Sequence, residues 1–102
     1  MTDKVLKNSG YKKIEVDESF FPNAKECFQK KIKDSKGRIK YIITVVGFDI
    51  CGTMVYKFVL LCETHYGTIY VGFNFVKPLT IEEIEQEIDK IWTRGDFNYY
   101  ES

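Results

Sequence analysis

Between residues 26 and 76, β-branched and aromatic side chains recur at alternate positions in runs broken by turn signals, and a period of two commits such runs to extended strands. The runs cover residues 26–34, 38–47, 54–65 and 68–76. Asp34-Ser35-Lys36-Gly37 and the Tyr66-Gly67 region stand where hairpin turns are needed. Parity sets the faces, because a one-residue slip sends every side chain to the other side of the sheet. A turn centred on Tyr66-Gly67 sets Phe58 opposite Phe75, Leu60 opposite Phe73, Cys62 opposite Val71 and Thr64 opposite Ile69. In the first hairpin, Ile32 falls opposite Ile39 and Phe28 opposite Ile43. The expectation is a four-stranded antiparallel meander whose core face holds Phe28, Ile32, Ile39, Tyr41, Ile43, Val45, Tyr56, Phe58, Leu60, Ile69, Val71, Phe73 and Phe75.

A helix is predicted over about residues 81 to 94. Thr80 and Glu83 have capping-box spacing, Leu79 and Ile84 fit a hydrophobic staple, and Gly95 stands where a C-cap glycine belongs. Ile81, Ile84, Ile88, Ile91 and Trp92 recur at three- and four-residue spacing and form one packing face. Glu82, Glu83, Glu85, Glu87 and Asp89 point elsewhere, and the early glutamates suit the positive end of the helix dipole. The fold class is therefore α+β, with this C-terminal amphipathic helix on the core face of the sheet. At 102 residues there is room for one domain, 1–102: an N-terminal segment 1–22, the sheet 26–76, the helix 80–94 and an aromatic tail 95–102.

The reverse face is predicted to hold Gln29, Lys31, Lys33, Arg38, Lys40, Ile42, Thr44, Val46, Lys57, Val59, Leu61, Glu63, Tyr70, Gly72 and Asn74. A solvated sheet face is normally polar, so Ile42, Val46, Val59 and Leu61 ask for a cover. Either the N-terminal segment, with Tyr11, Ile14, Val16, Phe20 and Phe21, lies across this face, or a second subunit or another protein does. Lys31, Lys33, Arg38, Lys40, Ile42, Val59, Leu61 and Tyr70 are the candidate partner-binding residues: apolar burial at the centre, a basic flank to steer association.

Charge sharpens that expectation. The 15 basic and 15 acidic side chains cancel overall, which argues against a chain that coats nucleic acid through bulk charge. Residues 1–40, however, carry eleven bases and six acids, a net of +5, and the remainder carries four bases and nine acids, a net of −5. Such a split either holds one fold together or presents a dipolar surface.

Signals for catalysis are sparse. His65 is the single histidine, beside a turn, and its odd spacing from Cys62 sends the two side chains to opposite faces of an extended strand. Gly47, Gly52, Gly67 and Gly72 match no phosphate-binding fingerprint, and the helix glutamates have no histidine neighbours, so neither a nucleotide, a metal nor another cofactor is expected. Cys27, Cys51 and Cys62 are odd in number and contain no C-x-x-C pair, which suits reduced thiols in a cytoplasm. No apolar run approaches the ~20 residues of a membrane helix, and Met1–Gly10 lacks the apolar stretch of a signal peptide. No catalytic residue is assigned.

The alternative to a protein partner is nucleic acid, with Lys31, Lys33, Arg38 and Lys40 on the phosphates and Tyr70 stacked on a base. One aromatic is fewer than such platforms use, and basic residues at a hairpin also serve as edge protection. Phe28-Gln29-Lys30-Lys31-Ile32-Lys33-Asp34, Gly37, Lys40-Tyr41-Ile42-Ile43 and the closing Phe97-Asn98-Tyr99-Tyr100-Glu101 make residues 26 to 101 resemble small bacteriophage and prophage proteins of low-GC bacterial hosts. That resemblance brings no activity with it. It implies a setting: an accessory phage or mobile-element protein, in the cytoplasm of a bacterial host, that works by binding something. The expected function is a non-enzymatic protein-interaction module; a nucleic-acid binder and a homo-oligomer are the alternatives.

Overall fold

A computed structural model of the chain describes residues 2–64, 67–73 and 79–93, and their side chains except those of 62–64 and 68–70. The strands are β1 (Lys12–Ile14), β2 (Glu26–Lys33), β3 (Ile39–Ile50), β4 (Thr53–Thr64) and β5 (Gly67–Gly72). They form one antiparallel sheet in chain order, β1-β2-β3-β4-β5, flanked by helices α1 (Asp3–Asn8) and α2 (Ile81–Thr93). The α+β class and the antiparallel meander stand, with β1 and α1 added to the expected four strands and one helix.

α1 is a single capped unit. The Thr2 hydroxyl accepts the Val5 N–H at 3.3 Å, and Gly10, at φ +93°, ends the helix. Gly10 N–H donates to Lys7 O and Tyr11 N–H to Leu6 O, both at 3.1 Å, the two bonds of a Schellman stop. That stop turns Leu6 and Tyr11 into the core together, at 0% and 2% exposure. Tyr11 therefore lies on the helix-covered front of the sheet rather than on the reverse face.

α2 starts on its capping box: Glu83 N–H donates to Thr80 Oγ1 at 3.2 Å, and Thr80 N–H donates to Glu83 Oε1 at 3.1 Å. Ile81, Ile84 and Ile88 are buried against Phe28, Tyr41, Ile43, Val45, Phe58 and Leu60, with Ile91 and Trp92 at the margin. Gly95, the tail 95–102, His65 and Phe75 lie outside the described residues.

Both predicted hairpin registers are off by two residues. Phe28 pairs with Val45 and Ile32 with Tyr41; Leu60 pairs with Val71 and Cys62 with Ile69. A two-residue shift keeps side chains on their face, which is why Phe28, Ile32, Tyr41, Ile43, Val45, Phe58 and Leu60 still lie in the core. In the second case the hairpin closes earlier, with Gly67 already paired to Thr64. β3 and β4 also run further than expected, to a two-residue turn in which Cys51 and Gly52 have φ of +52° and +83° and the Asp49 carboxylate accepts the Gly52 N–H at 2.9 Å. Among the described residues no helix is long and apolar enough to cross a membrane.

Candidate partner-binding face

The first hairpin contains an irregularity that re-sorts its side chains. Ile32 pairs with Tyr41, but the next pair is Lys33 with Ile39, so Lys40 is an extra residue in β3. A β-bulge of this kind re-aims the side chain of the inserted residue. Lys40 accordingly joins Tyr41 on the front: its Nζ donates to Asp89 Oδ1 at 2.9 Å and sits 5.8 Å from the Tyr41 ring. The expected place of Lys40 on the reverse face is thus corrected. So is the place of Ile39, which leaves the predicted core for the side of Lys33 and is 53% exposed. Arg38 stays in the turn, where Asp34 accepts from its Nε at 3.3 Å and from its backbone N–H at 3.0 Å. Those backbone bonds hold the Asp34 carboxyl below the usual range.

On the front, carboxylates, tyrosines and lysines meet in three groups of one plan. Glu85 of α2 accepts the Tyr11 hydroxyl at 2.8 Å and pairs with Lys30 Nζ at 3.0 Å; Asp89, one turn on, accepts the Tyr41 hydroxyl and Lys40 Nζ, each at 2.9 Å. Glu26 accepts the Tyr56 hydroxyl at 2.9 Å and pairs with Lys13 Nζ at 3.5 Å. In each group the lysine also lies over an aromatic ring, Tyr11, Tyr41 or Phe28 respectively. Burial, with the adjacent carboxylate second, pushes the Tyr11 and Tyr41 hydroxyls well above their ordinary pKa, and Tyr56 is pushed up to about 12 for the same reasons. Asp89 is held below the ordinary carboxylate range by its bonds from Lys40 and Tyr41.

An open groove beside α2 is lined by Ile32, Tyr41, Glu82, Glu85, Gln86 and Asp89. Its two inward carboxylates, Glu85 and Asp89, are each already engaged by a lysine and a tyrosine, so they act as the seam between helix and sheet. Among the described residues no three His, Cys, Asp or Glu side chains gather where they could hold a metal ion.

The reverse face divides in two. Cys27, Val46 and Val59 form a second small core with Val16, Phe21, Ala24 and Phe48 packed on it, so the segment between β1 and β2 covers this half. Burial raises the Cys27 thiol pKa. Val59, expected to meet a partner, is instead inside the molecule at 4% exposure. Ile14 and Phe20, expected in the cover, remain 37% and 45% exposed.

The other half, toward the β2–β3 turn, keeps no such cover among the described residues. Lys31 pairs with Ile42 and Leu61 with Tyr70, and Ile42 and Leu61 follow the Ile43–Leu60 pair, so these four positions form one row across four strands. Ile42 and Leu61 are half-buried; Lys31 and Lys33 are exposed. The Tyr70 side chain lies outside those described. The lysines of the two faces differ sharply. Lys13, Lys30 and Lys40 in front are all paired with carboxylates, whereas Lys12, Lys31, Lys33 and Lys57 on the reverse face make no ion pair among the described residues. Lys57 extends across Gly72, where an added Cβ would meet its Cε at 2.6 Å.

Of the eight candidates, then, Lys31, Lys33, Ile42 and Leu61 are brought together, Val59 is covered, Arg38 and Lys40 are engaged elsewhere, and Tyr70 contributes a position. Ile39 was missed as a member of the patch. A strict period of two had no place for the bulge that exposes it. Comparison with protein-family models, with curated proteins and with solved structures gives no match to this chain.

Proposed function

We propose that the protein is a non-enzymatic interaction module that binds another protein through the half of the reverse sheet face bearing Lys31, Lys33, Ile39, Ile42 and Leu61. The observation that carries this reading is the segregation of the lysines: in front, Lys30 and Lys40 dock α2 and Lys13 pairs with Glu26, whereas Lys31 and Lys33 behind are exposed beside aliphatic side chains and make no ion pair among the described residues. Aliphatic burial with a charged rim is the make-up of a protein interface. A nucleic-acid partner would use the same lysines, but none of the described side chains in this patch is aromatic, and base stacking needs rings. An accessory role in a phage or mobile element, in the cytoplasm of a bacterial host, is the setting we propose for it.

The test is affinity capture from nuclease-treated extracts with the wild-type chain, Leu61→Asp and Ile42→Asp as baits, each first shown to be folded by circular dichroism. A protein retained by wild type and by neither variant supports the reading. Identical retention by all three refutes it, and light scattering that shows a dimer abolished by Leu61→Asp replaces it with self-association.

A further inference from the structure

From the way the chain covers its own sheet, we infer the chemistry of the partner: an acidic segment with apolar anchor residues, laid over Ile42 and Leu61 and flanked by Lys31 and Lys33. This rests on the protein-binding reading above. The covered half of the reverse face already shows what this surface accepts. Its cover includes Glu15-Val16-Asp17-Glu18-Ser19-Phe20-Phe21, in which Val16 and Phe21 pack down on Cys27, Val46 and Val59 while Glu15, Asp17 and Glu18 stay at the surface. The intramolecular cover is thus acidic outside and apolar beneath.

The uncovered half continues the same strands with the same kind of centre. Thr44 and Val59 are followed along β3 and β4 by Ile42 and Leu61, with Ile39 beyond the bulge. What changes is the rim. Lys31 and Lys33 stand two residues apart on β2, so both project to this side about 7 Å apart. Neither has an anionic partner among the described residues, although the front-face lysines each have one. The row therefore offers aliphatic burial beside two cations that have no counter-charge among the described residues, and an uncharged apolar segment would supply them none. Acidic residues on the ligand would pair with them at the solvent-exposed rim, where they set orientation and association rate.

The experiment uses fluorescence anisotropy with the full chain and three labelled probes: the peptide Glu-Val-Asp-Glu-Ser-Phe-Phe, its counterpart with Gln and Asn replacing the acids, and a mixed-sequence single-stranded DNA. The acidic peptide is expected to bind, to weaken as salt rises, and to lose about tenfold in affinity for Lys31→Glu/Lys33→Glu. Leu61→Asp removes its binding, and Glu82→Gln, on the far side of the molecule, leaves it unchanged. Equal binding of the neutral peptide overturns the acidic assignment and leaves the protein-binding reading standing. Preference for DNA overturns both. Failure of both peptides to bind, or binding indifferent to Lys31, Lys33 and Leu61, overturns the inference, the latter by locating the peptide on the half that the chain itself covers.

Discussion

Replacing Glu85 with alanine tests whether the carboxylates of α2 are a docking seam or a solvated face. Glu85 accepts the Tyr11 hydroxyl at 2.8 Å and holds Lys30 Nζ at 3.0 Å. Tyr11 is 2% exposed, so the truncation strands its hydroxyl in a site from which water is largely excluded. An orphaned buried donor costs about 1–3 kcal/mol. Lys30 is 27% exposed, so its lost ion pair adds no more than about 1 kcal/mol. Better helix propensity returns a few tenths of a kcal/mol. The net expectation is a loss of about 2 kcal/mol, which at roughly 4–8 °C per kcal/mol in a chain of this size lowers the melting temperature by about 8–16 °C. Urea denaturation and thermal melts of Glu85→Ala, Tyr11→Phe and the double variant measure it. The double variant should lose less than the two single losses together, because removing the hydroxyl removes the stranded donor. Glu82→Ala, on an exposed residue of the same helix, should fall within about 0.5 kcal/mol of wild type. A Glu85→Ala loss below that same margin, or strict additivity with Tyr11→Phe, would refute the seam.

Three further outcomes are expected. Raised hydroxyl pKa values at Tyr11, Tyr41 and Tyr56 mean that the unfolded chain gives up protons first, so stability falls as pH climbs above about 10, and Tyr11→Phe flattens that fall in urea titrations at stepped pH. Val59→Asp puts a carboxylate into the small core at a 4%-exposed site and should abolish cooperative unfolding, while Leu61→Asp keeps a wild-type far-ultraviolet circular dichroism spectrum; equal behaviour of the two would contradict the division of the reverse face. An alanine Cβ at Gly47 would lie 3.0 Å from Tyr56 Cε1 and 2.8 Å from Met54 Cε, so Gly47→Ala should cost about 1–3 kcal/mol by urea denaturation, and a stabilised variant would show that the Tyr56 ring does not cross this strand on its way to Glu26.

What could be read in advance followed from period and local chemistry. Thr80 and Glu83 form their box because capping needs only neighbours in sequence, and the isoleucines of α2 pack as their spacing requires. Away from the bulge at Lys40, the described side chains kept their predicted faces through two errors of register because each error was an even number. Elements that depend on distant support were invisible. α1 has six residues, too few to show a helical period, and it stands by its caps and by burying Leu6 and Tyr11 under the sheet. β1 has three residues and exists only as the edge partner of β2. The exposed Ile39 and the frontward Lys40 share one cause, a single inserted residue, and no side-chain pattern announces it.

The +5 and −5 halves of the chain illustrate how a sequence-level charge split turns into a surface. Opposite charges can cancel only where the fold brings them within reach, and α2 is docked over the front of the sheet. Lysines that face forward, Lys30 and Lys40, therefore find Glu85 and Asp89, and the bulge at Lys40 is what brings the second of them round. Lysines that face backward are separated from the helix by the thickness of the sheet. Lys31 lies next to Lys30 in sequence yet has no access to Glu85, because alternation along β2 sends it to the other side. The acidic helix thus neutralises Lys30 and Lys40 on one face of a basic hairpin, while Lys31 and Lys33 on the other find no ion pair among the described residues. In a chain whose net charge is zero, the side of the sheet on which a lysine stands thus decides whether it docks the helix, as Lys30 does, or makes no ion pair among the described residues, as with Lys31.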